Sequence, residues 1–104
     1  MALNFNLHYS ENFEEDLREI YTHITYNLQN PFAASEQVNR ITLAAESLRV
    51  FPKMHRVRGK DRFGDELRIY PVDNYNILYS IDEIENIVNI SRVLYGRRNI
   101  DALP

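Results

Sequence analysis

The sequence contains no cysteine, which excludes a disulfide framework, a thiolate metal site and a cysteine nucleophile. Glycine is scarce too, and Gly59, Gly64 and Gly96 form no phosphate-cradling pattern. His8, His23 and His55 each stand alone, without a partner at ligand spacing, so the chain offers no metal site and implies no cofactor. No serine lies in a nucleophile-elbow context. Apolar runs stop after a few residues, far below the roughly 18 that a membrane span requires. The opening Met1-Ala-Leu-Asn-Phe-Asn alternates where a secretory leader would be continuously apolar. These absences lead to the expectation of a small cytoplasmic protein with no membrane partner.

What is present fits one ordinary domain over residues 1–104, with 44% hydrophobic and 26% charged residues. Twelve Lys/Arg against fifteen Asp/Glu give a net charge of −3, which argues against general polyanion binding. The charge is unevenly placed. Residues 1–52 carry three Arg and seven Asp/Glu, whereas 53–104 carry nine Lys/Arg and eight Asp/Glu. An anion-facing surface is therefore expected from the second half, with the negative charge of the first helix lying away from its arginines.

Leu3, Phe5 and Leu7 alternate with polar residues, the pattern of a half-buried strand. Ser10 then stands at an N-cap position ahead of Glu11, Glu14, Glu15 and Asp16, and carboxylates in a first turn match the helix dipole. Phe13, Leu17, Ile20, Ile24 and Leu28 continue as one helical stripe to about Leu28. Asn30-Pro31 starts a second helix with Ala34, Val38, Ile41, Ala45 and Leu48 on its apolar face, and Phe51-Pro52 closes it. The short connection predicts an antiparallel helix hairpin. Residues 53–66 lack periodicity and read as a loop with at most irregular extended structure. Residues 67–70, 75–81 and 87–95 read as strands joined by tight turns. The expected class is α+β, ordered β-α-α-β-β-β, with the helix hairpin packed on a mainly antiparallel sheet.

The acids Glu11, Glu14, Glu15, Asp16 and Glu19 read as a solvated helix face. Tyr75 and Tyr79, in phase with Ile77 and Ile81, read as packing residues. Arginine resists so plain a reading. Arg68 lies inside a strand, and Arg92 shares its alternation with Val88, Ile90 and Leu94, where a guanidinium needs a carboxylate, a phosphate or open water. Tyr95-Gly96-Arg97-Arg98 follows at the strand end, and Arg56, Arg58, Lys60 and Arg62 are candidates to complete a cationic patch with them.

These residues resemble the RelE/ParE toxin superfamily. The resemblance rests on the first strand, the Ser-x-x-Phe-x-x-Asp-Leu-x-x-Ile helix from Ser10 and the Leu48-Arg-Val-Phe51-Pro52 end of the second helix. It continues through Leu67-Arg68, Asp73-Asn74-Tyr75-x-Ile-x-Tyr79-x-Ile81 and Ile90-x-Arg92-Val93-Leu94-Tyr95-Gly96-Arg97-Arg98-Asn99. The resemblance implies a bacterial type II toxin that forms a hetero-oligomer with a cognate antitoxin encoded by an adjacent gene. It further implies that the antitoxin's C-terminal segment packs into the groove of helices and sheet.

Two targets divide that superfamily. Its ribosome-dependent ribonucleases drive a 2′-hydroxyl onto the adjacent phosphate, a reaction needing a base, an acid and cations. Where those members carry lysines on the first strand after the helices, this chain has Leu67 and Ile69. It has Asn76 at their arginine position and Pro104 near their C-terminal tyrosine, while Arg98 keeps a cation. The paired helices and the Tyr-Gly-Arg-Arg-Asn end resemble the ParE-like plasmid-stabilisation branch instead, implying a binder that poisons DNA gyrase. Arg68, Arg92, Tyr95, Arg97 and Arg98 are the residues expected to meet antitoxin or target. Two alternatives stand beside this reading. One is a ribonuclease acting on ribosome and mRNA through Lys60, His55 or Tyr95, so catalysis is left open. The other is a toxin-like module that has lost its toxicity.

Overall fold

The computed structural model describes residues 4–96. Its first strand, β1 (Asn6–Tyr9), runs into helix α1 (Glu11–Thr22) at Ser10, whose side chain accepts from the Phe13 N–H at 3.0 Å. Phe13 and Ile20 of this helix, and Ile24 just beyond it, are buried. The α-helical ladder gives way to a π-helical turn over His23–Asn27, ending with the Leu28 N–H on the His23 carbonyl at 3.3 Å. Gln29 then takes a left-handed φ of 53°, and the Asn30 N–H reaches back to the Ile24 carbonyl, so a left-handed residue ends the helix without glycine. Asn30 caps α2 (Pro31–Ser47) by accepting from the Ala33 N–H, with proline at the first helical position. The helix hairpin expected from the sequence is present.

Four strands follow: β2 (Val57–Lys60), β3 (Glu66–Val72), β4 (Tyr75–Asp82) and β5 (Ile87–Tyr95). They join β1 in a five-stranded sheet of order β1-β5-β4-β3-β2. The β1–β5 pair is parallel and the others are antiparallel. Helix α1 packs over β5 and α2 reaches β3, so the core forms between one sheet face and the helices. Phe13, Ile41, Leu48, Ile77, Tyr79, Val88 and Ile90 are fully or almost fully buried there. The Tyr79 hydroxyl, inside that core, donates to the Pro52 carbonyl at 2.6 Å, and burial pushes its pKa up to about 12.

The β-α-α-β-β-β order of the sequence reading stands, with two corrections in detail. Residues 53–66, read as a loop, contain the edge strand β2. All four of its residues are exposed, so it carries no buried-face alternation for a period-2 reading to detect. The second correction concerns β5. Its register with β4 shifts between Leu78 and Tyr79, whose partners are Arg92 and Ile90. Ser91 is left as the extra residue of a bulge. Its hydroxyl donates to the Leu78 carbonyl, and its own carbonyl accepts from the Ser10 hydroxyl at 2.6 Å. Beyond the bulge it is Val93, not Leu94, that enters the core.

Candidate functional site

Where α1 and the start of α2 splay over the ends of β4 and β5, they leave a groove of about 880 Å³. One wall is the α1 face bearing Asp16 and Ile20, continued by Ile24 of the π-helical turn, and the other carries Ala33, Gln37 and Arg40 from α2. Its floor is Tyr75, Arg92, Val93, Leu94 and Tyr95. Its base is apolar apart from Arg92, and further charges stand around it, an arrangement suited to an amphipathic segment rather than a small polar substrate.

A three-bond polar contact in this groove joins Asp16 to β5. Asp16 accepts from Arg92 Nε at 2.7 Å and Nη2 at 3.0 Å, and from the Val93 N–H at 3.1 Å. Its carboxylate is buried whereas the guanidinium is about one-third exposed. Donating to this carboxylate raises the Arg92 pKa further, so the guanidinium is permanently charged and held in a fork. At the far rim, Arg40 Nε and Gln37 Nε2 both donate to Asp73, at 2.8 and 2.9 Å. Those bonds lower the Asp73 pKa and tie α2 to the β3–β4 turn. Tyr95 stands 55% exposed, with its ring edge-on to Tyr75 at 5.5 Å between centroids. Burial, and then the neighbouring Tyr95, raises the Tyr75 pKa.

The structure brings Arg92 and Tyr95 of the expected set together on one groove. It places Arg68 elsewhere: its Nη1 donates to the carbonyls of His55 at 2.6 Å and Lys53 at 3.5 Å, bracing the segment that enters β2. Arg97 and Arg98 lie outside the described residues. Arg56, Arg58, Lys60 and Arg62 do not join Tyr95 in one patch. Arg58 and Lys60 are on β2, Arg56 just before it and Arg62 in the turn after it, whereas Tyr95 is on β5, three strands across the sheet. The expected separation of helix acids from sheet arginines also fails at Asp16, which is buried and paired rather than solvated. Asp16 was missed although its spacing from Phe13 and Ile20 puts it on the apolar stripe. A carboxylate on that stripe already implied a partner across the interface. Among the described residues, no three His, Asp or Glu side chains cluster as a metal site, and no helix is long and apolar enough to cross a membrane.

The class of protein follows from comparison with known families. The family described as the ParE toxin of the type II toxin-antitoxin system, parDE, matches residues 7–100. The chain belongs to that family and is a type II toxin of the RelE/ParE superfamily. Among solved structures it is similar to a chain of the chromosomal ParDE system from P. aeruginosa, with a TM-score of 0.71 and 17% identity. That match covers 91% of this chain and 99% of the other. It is also similar to a chain of the archaeal RelE–RelB complex from Pyrococcus horikoshii, with a TM-score of 0.62, 16% identity and coverage of 94% and 99%. A mutant E. coli RelE toxin in the free state matches with a TM-score of 0.61, 12% identity and coverage of 94% and 88%. No curated protein matches the chain.

Proposed function

We propose that this toxin acts in the cytoplasm by binding DNA gyrase without catalysing a reaction, and that a cognate antitoxin neutralises it by filling the groove between the helix hairpin and β5. The observation that carries this reading is the state of Arg92. In a ribonuclease, a strand arginine would be available to a phosphate as charge develops. Here its Nε and one hydrogen of Nη2 are already engaged by Asp16, which makes Arg92 a strut of the groove floor. The resemblance noted above points the same way, with Leu67, Ile69 and Asn76 where the ribonucleases carry cations. A groove with an apolar floor and charged rims suits the amphipathic segment of an antitoxin, entering beside Tyr95 and covering Ile20 and Ile24.

The test is expression of the chain without an antitoxin, together with assays of purified gyrase. The expected outcome is growth arrest with an SOS response, and accumulation of cleaved DNA when the toxin is added to gyrase. Translation arrest with mRNA cuts mapped to the ribosomal A site would replace this reading with the ribonuclease. Normal growth would identify a non-toxic antitoxin-binding module.

A further inference from the structure

The stretch from Arg49 to Lys60 contains Arg49, Lys53, Arg56, Arg58 and Lys60 and not one Asp or Glu, an isolated cationic run in an otherwise acidic chain. It forms the corner where α2 ends and β2 begins, beside the β4–β5 turn, to which Lys53 is tied through Glu83 at 2.6 Å. Lys60 faces Glu66 across the β2–β3 ladder. Among the described residues, Arg56 and Arg58 have no acidic partner. Large apolar side chains interleave with these cations and are open to solvent: Val50 is 48% exposed, and Phe51 and Met54 are each 63% exposed. This corner lies at the opposite end of α2 from the groove, whose rim is held by Arg40 and Asp73.

Each simpler explanation accounts for only part of this surface. Cations and a bulge blunt a sheet edge against unwanted strand addition, and β2 has both, with its register shift between Val57 and Gly59. That role does not explain the exposed Phe51 and Met54. Nucleic acid would match the cations and leave the apolar side chains uncovered. A second copy of the chain would oppose Arg56 and Arg58 to themselves. Only a ligand that is both apolar and negatively charged satisfies all of these groups.

We infer that the α2–β2 corner is a second docking surface, separate from the groove, for an acidic amphipathic peptide segment of a partner protein. Its carboxylates meet Arg56 and Arg58 while its apolar side chains cover Phe51 and Met54. The assignment does not depend on which target the toxin attacks.

The test uses the full-length toxin and fluorescence anisotropy of a labelled peptide of Glu-Glu-Leu repeats. Lys-Lys-Leu repeats and an oligothymidylate serve as comparison probes. In about 50 mM salt, where surface charges are weakly screened, the acidic peptide is expected to bind saturably and the basic one not at all. The Arg56→Gln/Arg58→Gln pair and the Phe51→Ser/Met54→Ser pair should each weaken binding by about tenfold or more, with thermal midpoints confirming the fold. Tyr95→Ala should leave the affinity unchanged, because Tyr95 belongs to the groove. No saturable binding overturns the assignment, as does wild-type affinity in the Gln pair, which alters only exposed side chains. Loss of binding in Tyr95→Ala would move the peptide into the groove. Tighter binding of the oligothymidylate through the same arginines would make the corner a nucleic-acid surface instead.

Discussion

Asp16 holds three donors at once, two from Arg92 and one from the Val93 backbone. An amide in its place keeps one acceptor oxygen and leaves Arg92 without its counter-charge at the groove wall. Asp16→Asn is therefore expected to cost about 2–3 kcal/mol, at the lower end for a buried ion pair because the guanidinium is partly solvated. For a domain of this size that lowers the thermal midpoint by about 10–15 °C. An Asp16→Leu/Arg92→Met double variant should recover much of the loss, since an apolar pair removes both charges together; no recovery would mean that the pair does more than hold the wall. His55 makes a different statement. Its ring stacks on Tyr70 at 3.9 Å, its Nε2 is buried without a partner, and burial lowers its pKa. The folded state thus binds the proton less readily than the unfolded chain. Stability is full above the unfolded value near 6.5 and is lost as pH falls below it. Thermal midpoints measured between about pH 7.5 and pH 5 should fall for the wild type and change less for His55→Phe, which keeps the stacked ring. An identical pH profile in the variant would exclude His55 as the cause.

At the scale of elements, the caps were the most legible part of the sequence. Ser10 and Asn30 each stand where a side-chain oxygen meets the N–H three residues on, and both helices start there. Ser10 has a second task, because its hydroxyl also donates to the carbonyl of Ser91 at the β5 bulge. Ser10→Ala is accordingly expected to cost about 1–2 kcal/mol in chemical denaturation, against about 1 kcal/mol or less for Asn30→Ala, whose cap is exposed. Equal losses would mean that the bond to Ser91 contributes nothing. The bulge itself was not legible. Val88, Ile90, Arg92 and Leu94 alternate faultlessly in sequence, and only the pairing with β4 shows that Ser91 is inserted and Val93 turned inward. Strand β2 escaped for the opposite reason, since a fully exposed edge has no apolar phase to read. The groove was half visible. Arg92 and Tyr95 stood out as residues needing an explanation, whereas Gln37, Arg40 and Asp73 come together only because the helix hairpin folds back over the β3–β4 turn.

Across the whole molecule, the two ends of α2 face different surroundings: the groove with its apolar floor at one end and the cationic corner at the other. A ligand that binds only the folded toxin stabilises it by mass action. An antitoxin present at about a hundred times its dissociation constant should add about 2.7 kcal/mol and raise the thermal midpoint by about 10 °C or more. Calorimetry of the toxin with and without its antitoxin checks this, and an unchanged midpoint would remove the groove as the docking site. The parallel pairing of β1 with β5 has a consequence in time. Ser10 and Ser91 are 81 residues apart in the chain, yet they share a hydrogen bond, and Asn6 to Tyr9 find their partners only in Ile87 to Ile90. The helix hairpin is local and can form while the chain is still emerging from the ribosome, but β5, against which α1 packs, follows only after β2, β3 and β4. Closing so long a loop makes the final step slow. A chain that has not yet reached β5 therefore lacks Arg92, Val93, Leu94 and Tyr95, and with them most of the groove floor.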